Sequence, residues 1–164
     1  MAQIETPHTL APPLEIASWL NTVEALDLAS LRGRVIVLHA FQMLCPGCVL
    51  HGVPQAQRIH TLFPRDEVQV IGLHTVFEHH SAMQLPSLKA FVHEFRVTFP
   101  VGVDRHEDAG GKADGLPLTM ARYGMHGTPS LILIDRAGYL RAHLFGQADD
   151  LAVGAQIARL AAEP

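Results

Sequence analysis

Three short segments of the chain are apolar almost throughout and rich in β-branched residues: Arg34–Ala40, Val68–His74 and Ser130–Ile134. Continuous apolar runs of this length are typical of strands that are covered on both faces. Weaker patterns predict further extended segments at Ile16–Leu20, Ala25–Leu28, Thr98–Val103 and Tyr139–Phe145. The last of these follows an Asp-Arg-Ala-Gly turn, so it is predicted to form a hairpin with the strand before the turn.

Helical patterns separate these strands. Pro46 suits the start of a helix because a first-turn N–H has no partner in any case, whereas Gly52 and Pro54 predict a kink within the same helix. The predicted helices are Pro46–Leu62, Pro86–Val97, Leu116–Tyr123 and one that Asp149 caps and that reaches Ala161. The polar, glycine-rich segment 104–115 is predicted to be a loop. Strands that alternate with helices and then give way to a hairpin and a helix predict an α/β fold with a central mixed sheet and helices on both faces.

The length suits a single domain, residues 1–164, and 48% of the residues are apolar, enough to fill a core. The Pro-containing segment 1–13 is expected to be loose. Twelve basic residues against 16 acidic ones argue against a nucleic-acid partner, which would require a basic patch. No apolar run approaches the length of a membrane span. No secretory signal opens the chain, so a cytoplasmic location is expected, or a periplasmic or exported one if a signal has been removed.

Both cysteines of the chain lie in the motif Cys45-Pro46-Gly47-Cys48, directly after a predicted strand and at the start of a predicted helix. Cys45 therefore falls at a helix N-terminus, where free N–H groups and the helix dipole favour a thiolate. Cys48 lies one turn further along the same face, with less access to solvent and at a spacing that suits a disulfide. This arrangement predicts a redox pair in which Cys45 attacks a substrate disulfide and Cys48 resolves the mixed disulfide. No organic cofactor is expected.

A metal site is the main alternative for these thiols. C-x-x-C is half of a closed zinc site, the chain has no second such pair, and His51 adds at most a third ligand. The further histidines His39, His74, His79 and His80 are expected near the C-terminal edge of the sheet, where ligands gather in α/β folds. Imidazoles and thiolates suit copper or zinc. A polar surface loop is the simpler interpretation of the histidine-rich segment, and a metallochaperone is kept as an alternative function.

Two stretches of the chain resemble the thioredoxin superfamily, most closely its TlpA/ResA-like redoxins. The first is LDLASLRGRVIVLHAFQMLCPGC, which is similar to their short strand, L-R-G-K/R turn, buried strand and C-P-x-C motif. The second is GTPSLILIDRAGYLRAHLFG, which is similar to their G-x-P strand and I-D-x-x-G hairpin. The resemblance covers the chain from about Ala25 to the C-terminus. It implies a thioredoxin-like three-layer sandwich and thiol–disulfide oxidoreductase activity. It also implies a cis-proline at Pro129 that faces the cysteine pair, with the backbone of Thr128 before it open to an extended partner segment.

The chain departs from this family's pattern at two positions. Leu44 replaces the Trp that usually precedes the first cysteine, whereas Phe41 keeps an aromatic residue four positions before it. Thioredoxin itself has a buried carboxylate six residues before its first cysteine, and His39 stands at that position here. A buried His39 either relays protons for Cys48 or is a hydrogen-bonded core residue, and the sequence leaves both interpretations open.

These features favour thiol–disulfide exchange with protein thiols and disulfides, together with an unidentified electron donor or acceptor. Peroxiredoxins share the fold, but their reactive cysteine follows a hydroxyl residue by three positions and a proline by eight. Gln42 and Val37 occupy those positions relative to Cys45, so peroxidase activity is the less favoured alternative. The direction of exchange depends on the reduction potential of the pair, which the sequence does not determine.

Overall fold

The computed structural model describes residues 9–107 and 115–164, which form a six-stranded sheet flanked by helices. The strands are β1 (Ile16–Leu20), β2 (Val35–Phe41), β3 (Val68–His74), β4 (Val101–Asp104), β5 (Ser130–Ile134) and β6 (Leu140–Phe145). The helices are α1 (Val53–Leu62), which continues a π-turn at Cys48–Gly52, then α2 (Leu85–Glu94), α3 (Leu118–Arg122) and α4 (Asp150–Ala162). A short 3₁₀ turn occupies His80–Ala82.

Strand β2 lies in the interior of the sheet, whose order is β1-β4-β3-β2-β5-β6. It pairs in parallel with β3 and antiparallel with β5, and β3 pairs in parallel with β4. The outer strands β1 and β6 are antiparallel to their neighbours. The sheet is therefore mixed, as the sequence predicted.

The central strands supply two separate cores. On one face of the sheet, Val35 and Val37 pack with apolar residues of α1, α2 and α4. On the other face, Ile36 and Leu38 pack with residues that include Met120 of α3. Successive strand residues point to opposite faces, so a strand that is apolar throughout builds a core on each side. The expected three-layer α/β sandwich is confirmed.

The strand predicted at Ala25–Leu28 is wrong, because this segment leads into a turn. The carboxylate of Asp27 accepts the Ala29 N–H at 3.3 Å, and the Ser30 hydroxyl donates to the Asp27 carbonyl at 2.7 Å. Such local bonds between side chains and backbone favour turns over strands.

The prediction of a loose N-terminal segment is wrong for residues 9–13. Leu10 forms an antiparallel bridge with Tyr139, and the Ala11 N–H donates to the Gly138 carbonyl at 2.9 Å. These bonds tie the segment to the turn between β5 and β6, and a terminus held in this way is ordered whatever its composition.

The other element boundaries agree with the predictions to within a few residues. The predicted cap of α4 is confirmed, since the Asp149 carboxylate accepts the Ala152 N–H at 2.9 Å. In the part of the chain that the structure describes, no helix has the length and apolar character needed to cross a membrane. Residues 1–8 lie outside the described residues, and so does most of the predicted loop at 104–115, namely residues 108–114.

Candidate redox site

The first cysteine lies where the chain leaves β2 and turns into a helix. The Cys45 N–H donates to the Gln42 carbonyl at 3.2 Å, and the Cys45 carbonyl accepts the first helical bond from the Val49 N–H at 3.1 Å. Helical structure begins at Pro46, so Cys45 occupies the N-cap position. Its Sγ accepts the Cys48 N–H at 3.3 Å, as the side-chain oxygen of a capping serine does. The sulfur therefore faces a backbone donor at the N-terminal end of the helix.

The second cysteine has a different environment. Cys48 is fully buried, whereas Cys45 is partly exposed. Burial raises the pKa of Cys48, and its hydrogen bond with Cys45 raises that pKa further. The Gln42 backbone and the Thr128 side chain act in the opposite direction and are weaker than burial. Cys45 is therefore the more accessible of the two sulfurs, and burial favours the protonated form of Cys48.

The loop before β5 lies against the cysteine pair. The Thr128–Pro129 peptide bond is cis, as the family resemblance implied. The Cys45 thiol donates to the Thr128 carbonyl at 3.4 Å. A Cβ on Gly47 would lie 3.3 Å from Cδ of Pro129, so the glycine lets the proline ring approach the first turn of the helix. The Gly146 N–H donates to the Pro129 carbonyl at 2.8 Å and ties this loop to the end of β6.

Two exposed apolar side chains belong to the segments around the pair. Leu44 directly precedes Cys45 and is 57% exposed, and Phe145 at the end of β6 is 62% exposed. The Phe145 ring covers Gly127, because a Cβ there would lie 3.0 Å from Cε2 of the ring. Gly127 is the neighbour of Thr128, whose carbonyl lies 3.4 Å from the Cys45 sulfur. Sequence reasoning did not identify Phe145, since only the tertiary structure brings the end of β6 to this loop.

The interruption that the sequence predicted in the first helix is a π-turn. Pro54 has no N–H to donate to the carbonyl of Leu50, four residues earlier, so the regular pattern cannot continue through it. The Val53 N–H instead donates to the Cys48 carbonyl, which accommodates one extra residue in the turn. The turn carries Gly52 against the sheet, where a Cβ would lie 2.7 Å from Nε2 of His39.

His39 is buried beneath the π-turn, on the same face of β2 as the core that contains Cys48. It is 1% exposed, and neither ring nitrogen has a hydrogen-bond partner among the described residues. Burial lowers the pKa of His39 to about 4, so the ring is neutral at neutral pH. Of the two interpretations that the sequence left open, the hydrogen-bonded core histidine lacks its hydrogen bonds among the described residues. A cavity of about 50 Å³ lies beside the ring.

The remaining histidines do not form the cluster considered in the sequence analysis. His39 and His74 pack on the ring of Phe41 with ring centroids 6.0 and 5.3 Å from it, while His80 lies against His106 with centroids 5.4 Å apart. Across residues 9–107 and 115–164, no three His, Cys, Asp or Glu side chains are arranged to hold a metal ion. The donor set for a copper or zinc site is therefore not assembled in this part of the chain.

Gln42 also supports the site. Its buried side-chain amide donates to the Glu78 carboxylate at 3.3 Å and accepts the Phe77 N–H at 3.2 Å, which joins the cysteine loop to the loop after β3. The sequence analysis used this residue only to argue against a peroxidase. No local pattern marks it, because both of its partners lie more than 30 residues away.

A dithiol at a helix N-terminus, next to a cis-proline on a mixed sheet, defines the class of thioredoxin-like thiol–disulfide oxidoreductases, and this chain is one of them. The chain belongs to the Redoxin family, whose model matches residues 9–150.

Two similar structures and one curated relative each cover at least 90% of this chain. The crystal structure of the thioredoxin-like superfamily protein SPOA0173 is 59% identical, with a TM-score of 0.88 over 94% of this chain and 97% of that one. A thiol-disulfide isomerase from Corynebacterium glutamicum is 49% identical, with a TM-score of 0.86 over 94% of this chain and 98% of that one. Protein DipZ of Mycobacterium bovis is 27% identical over 152 residues, which are 90% of this chain and 20% of DipZ. The chain thus spans about a fifth of that curated relative.

Proposed function

We propose that the chain exchanges disulfides with protein partners through Cys45 and Cys48, with Cys45 as the attacking sulfur and Cys48 as the resolving one. The observation that carries this proposal is the asymmetry of the pair. The Cys45 sulfur is partly exposed and accepts the Cys48 N–H at 3.3 Å, while the Cys48 thiol is fully buried. A thiolate is the nucleophile in disulfide exchange, so the accessible sulfur with a backbone donor is the better attacker.

The exchange runs in two balanced steps. The Cys45 thiolate attacks a partner disulfide, which forms a mixed disulfide and releases one partner thiolate. Cys48 then loses its proton and attacks Cys45, which forms the Cys45–Cys48 disulfide and releases the second partner sulfur as a thiolate that takes up a proton. The partner gains two electrons and the pair loses two. The reverse sequence oxidises a dithiol, and the disulfide itself carries the electrons, so the proposal requires no organic cofactor.

The partner binds as an extended segment alongside Thr128. Two observations support this mode of binding. The Thr128 carbonyl lies 3.4 Å from the Cys45 sulfur, and Leu44 and Phe145 are exposed apolar side chains. An extended segment can add to exposed backbone as a further strand. Leu44 takes the place of the usual Trp on this surface.

His39 acts as the acceptor of the Cys48 proton. Its ring is neutral at neutral pH, and both nitrogens lack partners among the described residues, so one of them is free to accept a proton. Burial disfavours a thiolate on Cys48 and an imidazolium on His39 when each forms alone. The transfer therefore accompanies the attack, since negative charge then moves through Cys45 to the leaving sulfur instead of accumulating on Cys48.

The experiment that tests the assignment is the capture of mixed disulfides by single-cysteine variants. Cys48→Ser is expected to accumulate partners through Cys45, because the resolving thiol is absent, whereas Cys45→Ser is expected to capture none. Capture is measured on non-reducing gels after mixing with insulin and with cell extract, and the double variant controls for contacts that do not involve these sulfurs. Equal capture by the two single variants would show that the attacking and resolving roles are wrongly assigned.

Three measurements address the alternative functions: insulin reduction, bound metal and peroxide consumption. The redox proposal expects insulin reduction in the presence of dithiothreitol by protein that carries no stoichiometric copper or zinc. A metallochaperone expects stoichiometric metal that Cys45→Ser loses, and a peroxidase expects rapid consumption of peroxide. The cytoplasmic location stays a prediction, and so does the involvement of an electron donor or acceptor.

A further inference from the structure

We propose that the cavity beside His39 is the proton exit for the resolution step, through which water carries the Cys48 proton from His39 to solvent while a partner covers Cys45. This inference rests on the proposed function. It adds a route and a direction for the proton, and it explains why a buried thiol beneath a docked protein can still be deprotonated.

The cavity has a buried end and an exposed end. The buried end is lined by three buried residues, His39, Gly52 and Pro129. The exposed end is lined by Arg58 and Asp150, whose side chains are 58% and 49% exposed. Its volume of about 50 Å³ is sufficient for a few water molecules, since one water needs about 10–15 Å³ on this measure.

The polar groups along the cavity fit water rather than an apolar ligand. His39 lines the buried end, and neither of its ring nitrogens has a hydrogen-bond partner among the described residues. Gln55 lies along the wall, where its amide donates to the Ala148 carbonyl at 2.9 Å and to the Asp150 carboxylate at 2.8 Å. A buried polar group without a protein partner is normally satisfied by ordered water.

The titratable side chains that face the cavity besides His39 are His51, Arg58 and Asp150. Arg58 and Asp150 form an ion pair at 2.8 Å, and both remain about half exposed. Solvent therefore reaches the ends of these groups directly, and a proton that arrives here passes to bulk water without crossing the protein again.

The exit is separate from the surface that a partner occupies. Neither cysteine lines the cavity, and Thr128 does not line it either. Pro129 is the shared wall, because its ring packs on Gly47 beside Cys45 and also borders the cavity with Gly52. A segment bound along Thr128 thus covers the exposed sulfur and leaves the Arg58–Asp150 end open.

The proton balance is complete without another reagent. The Cys48 thiol gives its proton to His39 as its sulfur bonds to Cys45, and the bond between Cys45 and the partner breaks. The imidazolium then passes one proton to cavity water and returns to its neutral form. One proton leaves through the cavity, and the released partner thiolate takes one from solvent.

The first test fills the cavity without altering the cysteines or His39. Ala148 is 8% exposed and lines the cavity, so Ala148→Leu places a larger side chain in it. Ala152→Leu on the exposed side of α4 is the matched control.

Mixed disulfides on Cys45 are prepared in acid with glutathione or with an insulin chain that carries one free cysteine, and resolution is started by a jump to neutral pH. We expect Ala148→Leu to slow resolution at least about tenfold with the insulin chain and less with glutathione, because general-base catalysis contributes on the order of 10²-fold or more. If Ala148→Leu and wild type resolve the mixed disulfide with the insulin chain at the same rate, the proposed proton exit is wrong.

The second test uses chemical rescue, and its main readout, recovery of His39→Ala with imidazole, does not depend on the fold of the Ala148 variant. His39→Ala opens space of the size of the lost ring at the buried end of the cavity. We expect resolution to slow on the order of 10²-fold, to recover with added imidazole in proportion to its concentration, and to recover less when Ala148→Leu is also present. A merely structural role for His39 predicts slow resolution that imidazole does not change, which would overturn the proposal. Capture of partners by Cys48→Ser measures the first step alone, so a failure of the proton exit remains distinguishable from a failure of the proposed function.

Discussion

Acid should destabilise the fold through His74, a buried histidine at the end of β3 that has no role in the proposed chemistry. His74 is 1% exposed, and burial lowers its pKa from the ordinary value of 6.5 to about 4. The folded protein therefore keeps this ring neutral where the unfolded chain already binds a proton. The unfolded state binds more protons between these two pKa values, so stability falls as the pH falls through this window.

The size of the effect follows from the pKa difference. One pKa unit corresponds to about 1.4 kcal/mol, so a change from 6.5 to about 4 corresponds to about 3 kcal/mol in full. About 2 kcal/mol of this is lost between about pH 7 and pH 5. Burial lowers the pKa of His39 in the same way, whereas burial raises the pKa of Asp104 above its ordinary value of 3.8 and gives a dependence of opposite sign. The free energy of unfolding therefore depends on pH through several groups. The contribution of His74 is obtained from the difference between wild type and a variant that lacks this histidine.

That difference is measured with His74→Leu, which keeps an apolar side chain in the core and removes the titration. Urea unfolding at a series of pH values, in the presence of a reductant, gives the free energy of unfolding of wild type and variant. We expect the wild-type free energy to fall by about 2 kcal/mol more than that of the variant between about pH 7 and pH 5. His93→Leu on the exposed face of α2 is the control and should retain the wild-type slope. Parallel curves for wild type and His74→Leu would refute the assignment of this dependence to His74.

Three further substitutions test capping and packing by urea unfolding at neutral pH. Asp149→Ala removes the cap of α4 and is expected to lower the free energy of unfolding by about 1 kcal/mol. Gly72→Ala places a methyl group 2.9 Å from the Phe99 ring and should lower it by about 1–3 kcal/mol through overpacking. Asp104→Ala leaves two buried N–H groups at the start of α3 without their carboxylate acceptor and is expected to lower it by about 2 kcal/mol or more. A change of less than a few tenths of a kcal/mol in any of the three would contradict the contact assigned to that residue.

The central strands and the position of the cysteines were predictable because their signals are local. The apolar runs at β2, β3 and β5 indicate strands that are buried on both faces. The location of Cys45 at a helix N-terminus followed from a strand, a short loop and a proline in sequence. The proline opposite the cysteines depended on the family resemblance, since Pro129 at the start of a strand has no local mark of its own.

The features that sequence reasoning missed depend on partners that are distant in sequence. Residues 9–13 are ordered because they bond to the turn between β5 and β6, more than 120 residues further along the chain. Phe145 reaches the redox site through the pairing of β6 with β5. The His39 ring lies against Gly52 of the π-turn, and its lack of hydrogen-bond partners among the described residues depends on this tertiary packing. The wrong strand prediction at Ala25–Leu28 has a different cause. Asp27 and Ser30 are residue types that favour turns, so the local sequence already indicated the turn.

The π-turn makes the length of the first helix part of the site. An α-helix rotates by about 100° and rises 1.5 Å with each residue, so one residue gained or lost between Cys48 and Val53 turns the cysteines away from Pro129 unless the turn changes with it. Deletion of one residue there, combined with replacement of Pro54 by a residue that has an N–H, would yield a continuous α-helix with both ends in their original orientation. The extra residue of the π-turn and Pro54 are therefore expected to occur together, so related chains should have both or neither.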